Sequence, residues 1–430
     1  MLSAFAAAFR TPDLRKKLLF TLGIISVFRL GSVIPSPGVS YTAIQTCIDQ
    51  VQDNSVYGLI NLFSGGALLQ LSVFALGIMP YITSSIIIQL LTVVIPRLES
   101  LKKEGQAGTA QITQYTRYLT IGLAILQSTT IITLARTPGR LFQGCNEQLM
   151  PNQSIQLLLT IVCIMTAGTS LIMWLGELIT DRGVGNGMSI LIFTSIIATF
   201  PGQLASIWRI DGSLKFFLTV AVGLVTVAAV VYVEQAQRRI PVQYAKRQIG
   251  RKSFGGTSTY LPLKVNQAGV IPVIFASSLL YLPSLIVQLS GSEEGWAQWI
   301  STYMATGRAA YLVSNFVLIV FFAYFYVSIT FNPEEVADNM KQYGGFIPGI
   351  RAGKPTADYL AYVLNRITLP GALYLGAIAT IPYIAFNQLG VGDRFIFGGT
   401  SLLIMVGVGL DTVKQIESQL QQRNYEGFLK

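Results

Sequence analysis

Long apolar stretches set the pattern of this chain. Runs of mostly apolar residues, each near the ~20 needed to cross a bilayer as a helix, recur from end to end. They lie at about 18–37, 73–95, 116–136, 154–177, 184–203, 214–233, 267–289, 311–330, 366–387 and 395–415, and they predict ten transmembrane helices. A transmembrane β-barrel would show ~10-residue segments of alternating polarity, and the sequence has none. One stretch breaks the pattern. Between 60 and 94 a short piece bearing adjacent Gly65 and Gly66 leads into an apolar run that Gly77 and Pro80 interrupt, and Ile86, Ile87 and Ile88 follow. Broken helices at membrane depth are tolerated where the freed backbone lines protein or a water cavity. This stretch therefore predicts a pore or transport site.

Composition narrows the picture. The 430 residues are 52% hydrophobic and 12% charged, against about 25% charged in soluble domains. Residues 1–17 read as an amphipathic lead-in with Arg10, Arg15, Lys16 and Lys17, not as a cleavable signal peptide. Histidine is absent, which removes His-based acid–base chemistry, His metal ligands and any Ser-His or Cys-His pair. Three scattered cysteines cannot build a four-cysteine metal site. No metal, cofactor or enzymatic activity is expected.

The basic residues sort the loops. Of 30 Lys and Arg, 23 fall at the termini and in the even-numbered loops, six fall on the opposite side, and Arg29 lies inside the first span. The positive-inside rule then places both termini and the even loops in the cytoplasm. The net charge of +10 is thus a property of the loops. Ten spans with both ends on one side allow two five-helix halves of opposite topology, residues 1–203 and 214–430, with long cytoplasmic loops at about 234–266 and 331–366.

Several blocks then carry a resemblance: INLFSGGALL (60–69), ALGIMPYITSSIIIQLLT (75–92), KKEGQAG with QYTRY (102–118), MWLGELITDRGVGNGMSI (173–190), YLPLKVNQAGVIPVIFASS (260–278), NPEEVADNMKQYGGFIPGIRAGKPT (332–356), FGGTSLLIMVGVGLDT (397–412) and RNYEGF (423–428). In this order and over essentially the whole length, they resemble the SecY family, the central subunit of the bacterial protein-conducting channel. The resemblance implies an all-α clamshell of ten helices around an hourglass pore. It implies that unfolded secretory proteins cross the bacterial cytoplasmic membrane here and that transmembrane segments leave sideways into lipid. The implied drivers are the SecA motor or the ribosome. The implied partners are SecE, SecG, signal sequences and preproteins, membrane lipids, and accessory proteins of the SecDF and YidC types.

The resemblance also assigns residues. A plug helix maps to about 60–70, with Ile60, Asn61, Leu62, Phe63, Ser64, Gly65, Gly66, Ala67 and Leu68; on physical grounds alone an interfacial re-entrant turn is the alternative. An aliphatic pore ring maps to Ile82, Ile86, Met188, Ile192, Ile274 and Ile404. Aliphatic side chains offer a passing peptide no hydrogen bond and can hold back water by dewetting, although an isoleucine in a membrane helix more often simply packs. A lateral gate maps to the second half of span two and to span seven, with Gln89, Asn186 and Pro272 as its polar or helix-interrupting members. Plain interhelical hydrogen bonding is the alternative for the polar pair.

The sixth loop is basic, with Arg238, Arg239, Lys246, Arg247, Arg251 and Lys252. Such a hairpin suits ribosomal RNA phosphates or acidic patches on a protein; setting topology or binding anionic lipid is the alternative. Arg351 of the eighth loop matches the family's docking arginine for SecA or the ribosome. Cys47 and Cys145 both fall in predicted exterior loops, where an oxidising compartment permits a disulfide, the alternative being two free thiols. Two other functions compete. A coupled solute transporter would want ionisable groups near midplane, yet apart from Arg29 the charges sit mainly at span ends. An intramembrane enzyme would want paired midplane aspartates or histidine. No Walker-type GxxxxGK[ST] is present, so energy must come from a partner.

Overall fold

The computed structural model describes residues 9, 11–50, 64–137, 147–151, 154–244, 247–249, 252–254, 258–290, 295–304, 308–390 and 398–427. In the first part of the chain these form α1 (Pro12–Val33), α2 (Tyr41–Gln50), α3 (Met79–Val94), α4 (Pro96–Lys103), α5 (Gln106–Arg136), α6 (Ile155–Arg182) and α7 (Gly187–Ile210). The second part holds α8 (Ser213–Gln235), α9 (Ile271–Ser290), α10 (Gly295–Tyr303), α11 (Ala309–Thr330), α12 (Pro333–Gln342), α13 (Lys354–Gln388) and α14 (Gly399–Gly427). Each predicted span overlaps one of these helices. Among the described residues, six helices are long and apolar enough to cross a membrane, or seven if α3 and α4, bent by 99°, are one broken span.

The expected break in span two takes another form. Residues 73–78 are turns, and α3 starts only at Met79, with Pro80 in its first turn. Proline is welcome there because that N–H has no intrahelical partner. Pro80 therefore starts a helix instead of kinking one. Pro272 does the same for α9, where Pro283 is the proline inside the helix.

Two groups of helices pack within themselves: α3 on α5, α5 on α6, α6 on α7 and α1 on α6; then α9 on α11, α11 on α13, α13 on α14 and α8 on α14. The groups meet where α3 touches α9 and where α7 touches α8 and α14. One large apolar cluster draws on both, from Phe28 and Ile82 to Phe322 and Ile404.

The all-α expectation needs one correction. The sixth and eighth loops carry two small sheets, one of order β4-β1-β5 and one pairing β2 with β3, with β1 Gln237–Tyr244, β2 Arg247–Ile249, β3 Lys252–Phe254, β4 Ser258–Lys264 and β5 Gly345–Phe346. The cause is a period-two pattern: Ile240 and Val242 are buried between exposed Arg239, Pro241 and Gln243. The buried face joins Leu263, Ile347, Leu360 and Val363 in a separate small core, so this platform packs on the first turns of α13.

Candidate functional site

The site is built where the two helix groups meet. Asn186 caps α7: its Oδ1 accepts from the N–H groups of Met188 (3.1 Å) and Ser189 (3.4 Å). The Gly187 N–H donates to Thr180 Oγ1 at 2.9 Å. A side chain on Gly187 would run into the Gly176 carbonyl, so α6 and α7 touch backbone to backbone there. These bonds fix Met188 and Ile192 near the start of α7. Across from them, α9 begins just after Gly269, whose φ of +62° suits glycine. Asn266 Nδ2 donates to buried Glu234 Oε2 (2.9 Å) and to the Gly269 carbonyl (3.2 Å), which ties the end of α8 to the start of α9.

Between α3, α5, α6, α7 and α9 lies a cavity of about 510 Å³. Ile82, Met188, Ile192, Ile274 and Phe275 form its apolar wall, and Gln89, Asn186, Arg117 and Glu177 are polar members of its lining. Arg117 Nε and Nη2 donate to Glu177 Oε1 and Oε2, both at 2.8 Å. This is the two-pronged geometry that makes an arginine–carboxylate pair both strong and directional. The cavity thus brings together four of the six expected ring residues and two of the three expected gate residues. Ile86 and Ile404 are not in its lining but are buried in the same apolar cluster, and Pro272 lies one residue from lining Ile271.

The described part of the expected plug, Ser64, Gly65, Gly66, Ala67 and Leu68, opens a stretch of turns running to Ile78; Ile60, Asn61, Leu62 and Phe63 lie outside the described residues. Ser64, Ala67 and Leu68 are buried. The Leu68 N–H donates to Ser64 Oγ at 3.1 Å. Arg29 Nη1 of α1 donates to the Gly65 carbonyl at 2.8 Å. Phe74 stacks on Phe28, with ring centres 6.0 Å apart. A side chain on Gly31 would strike the Phe74 ring, and one on Gly168 would strike the Val73 carbonyl. The segment is therefore wedged between α1, α6 and α7.

Elsewhere, Arg238, Arg239 and Arg351 are exposed on the platform, Arg247 lies on β2 and Lys252 on β3, while Lys246 and Arg251 lie outside the described residues. Cys47 is disulfide-bonded and Cys163 is free; Cys145 lies outside the described residues. Three features were missed from sequence: the Arg29–Gly65 contact, the Arg117–Glu177 pair and the Glu234–Asn266 clasp. The signal available was a lone charge within span one and acids at two span ends.

The SecY family pattern matches residues 72–413. The protein translocase subunit SecY of Streptomyces scabiei is 68% identical over 438 aligned positions, covering 100% of both chains. Two solved structures share the fold. One is of SecY, with a plug domain that stabilises the closed state of the translocation channel and maintains a membrane seal: TM-score 0.64, 18% identity, 94% of this chain and 91% of that one. The other is Sec61 in a canine ribosome–channel complex from the endoplasmic reticulum: TM-score 0.61, 17% identity, 94% and 91% covered.

Proposed function

The chain belongs to the SecY family, and on that premise we propose that it is the channel subunit through which unfolded proteins cross, or enter, the bacterial cytoplasmic membrane. One observation carries the reading: a cavity shared by both helix groups whose apolar wall holds Ile82, Met188, Ile192 and Ile274. Such a wall gives an extended peptide nothing to bond to, and it closes by packing and by excluding water once the peptide has left.

In this reading the helices form a ten-span clamshell of two inverted halves, 1–203 and 214–430, with both termini in the cytoplasm. Ile86 and Ile404 complete the ring. The seam between α3 and α9 is the lateral gate, with Gln89 and Asn186 at the cavity, and residues 60–70 are the plug. Arg238, Arg239, Lys246, Arg247, Arg251, Lys252 and Arg351 dock the SecA motor or the ribosome through the platform. SecE braces the two halves from outside, and SecG joins them. Cys47 pairs with Cys145, because Cys163 is free and the sequence has only three cysteines.

The test is reconstitution of the full chain with its partner subunits in proteoliposomes, given SecA, ATP and a secretory precursor. The precursor should become protease-protected. A small solute that accumulates while the precursor stays accessible would overturn the channel reading.

A further inference from the structure

Arg29 interrupts an apolar run, IISVFRLGSV, in α1. A cation within a membrane helix turns toward the protein interior and finds a partner there. Here the guanidinium is half-buried, and among the described residues its hydrogen bond is to one backbone carbonyl, that of Gly65 at 2.8 Å. Gly65 and Gly66 have φ of +67° and +93°, a backbone path that L side chains rarely take. A side-chain carbon built on Gly65 would sit 3.0 Å from Arg29 Nη1 and 3.2 Å from the Cα of Ser195 in α7. Gly65 thus fills the gap between α1 and α7, and its carbonyl is presented to the one cation at that level of α1.

We propose that Arg29 is a positioning residue of the seal: its bond to the Gly65 carbonyl holds 64–70 between α1 and α7 and sets how strong a signal sequence must be to release it. The inference rests on reading 60–70 as the plug. A neutral carbonyl is a partner that other groups can replace. When the segment leaves, water entering the opening pore, or a carbonyl of the passing chain, takes over the guanidinium. In a dry, closed pore no replacement exists, because a bare cation in a low-dielectric setting is costly. Release of the seal is therefore coupled to wetting of the pore, and stray openings are suppressed.

The experiment measures resting conductance of the purified full channel complex in planar bilayers, together with export of a precursor carrying a defective signal sequence. Five forms are compared: the unaltered channel, Arg29→Gln, Gly65→Ala, deletion of 60–70, and the deletion combined with Arg29→Gln. Arg29→Gln and Gly65→Ala should each raise resting open probability about tenfold, the scale of one charge-assisted hydrogen bond, and should admit the defective precursor. Arg29→Gln should add nothing once 60–70 is gone. If the deletion raises conductance but neither point variant does, Arg29 is no latch and the plug stands. If the deletion itself changes nothing, the plug reading fails. If Arg29→Gln adds its full effect on top of the deletion, Arg29 acts elsewhere and the inference is overturned. Should Arg29→Gln fail to accumulate, Arg29→Lys, which keeps the charge but loses the guanidinium's reach to the Gly65 carbonyl, takes its place both alone and on the deletion.

Discussion

Two regions depart from the helical pattern, and they are built in opposite ways. The 64–78 segment lies inside the bundle. Its backbone takes positive φ at Gly65, Gly66, Leu71 and Gly77, and among the described residues its backbone bonds to the chain before it are Ser36 N–H to Leu71 O and Val73 N–H to Ile34 O, each 3.0 Å, beside the Arg29 bond to the Gly65 carbonyl. Packing does the rest, with Ala67, Leu68, Leu71, Phe74, Ala75 and Leu76 all buried. The platform of β1, β4 and β5 lies outside the bundle. It is held by a continuous antiparallel register from Gln237↔Lys264 to Gln243↔Ser258 and by its own small core. A segment seated mainly by close apolar contacts has few bonds to its surroundings to break. A paired ribbon keeps its shape while it is pushed on. The first construction suits a seal, the second a docking surface.

This contrast can be broken at several points. The largest effect is expected from Gly168→Val, which forces a side chain onto the Val73 backbone carbonyl. Backbone cannot step aside as a rotamer does, so folded channel should be lost from detergent extracts, judged by size-exclusion chromatography. Gly122→Val in α5, with open space around it, should leave the elution profile unchanged. Next, Ile240→Ala should cost the platform about 2–4 kcal/mol by leaving a cavity in its small core. Limited proteolysis within 237–264 should accelerate while resting conductance stays flat; an equal rise in conductance would mean the regions are not independent. Cys47→Ser removes a disulfide that sits against Ile44, Leu68 and Leu71 in one cluster. It should lower stability by about 2–3 kcal/mol, read as a drop in Tm that a reducing agent reproduces in the unaltered protein. The smallest structural effect is expected from Arg351→Glu. Its side chain is exposed, so protein level and Tm should hold while motor-driven translocation falls about tenfold; matched losses of protein and transport would make it a structural arginine.

The long helices were legible because apolar runs of membrane length have few other uses. Residues 73–78 were not, since the same apolar letters serve a helix and a buried turn; only Gly77 and Pro80 marked the trouble. The platform hid its strands behind Pro241 and Pro262, which discourage a strand reading, although Ile240 and Val242 alternate cleanly. Asn186 read as a polar group at membrane depth, and its place as the cap of α7 needed the position of Gly187 to be known. Arg29 was visible as a stray charge. Its partner was not, because a backbone carbonyl carries no signature in sequence and Gly65 reaches it only through tertiary folding.

The glycine contact between α6 and α7 has a mechanical side. With the Gly176 carbonyl seated where Gly187 has no side chain, and Thr180 bonded to the Gly187 N–H, the two helices cannot slide past one another without collision. A displacement of α7 along its seam with α14 therefore carries α6 with it, and α6 bears Gly168, against which the Val73 backbone rests. A push on α7 is thereby felt beside the turns of 64–78.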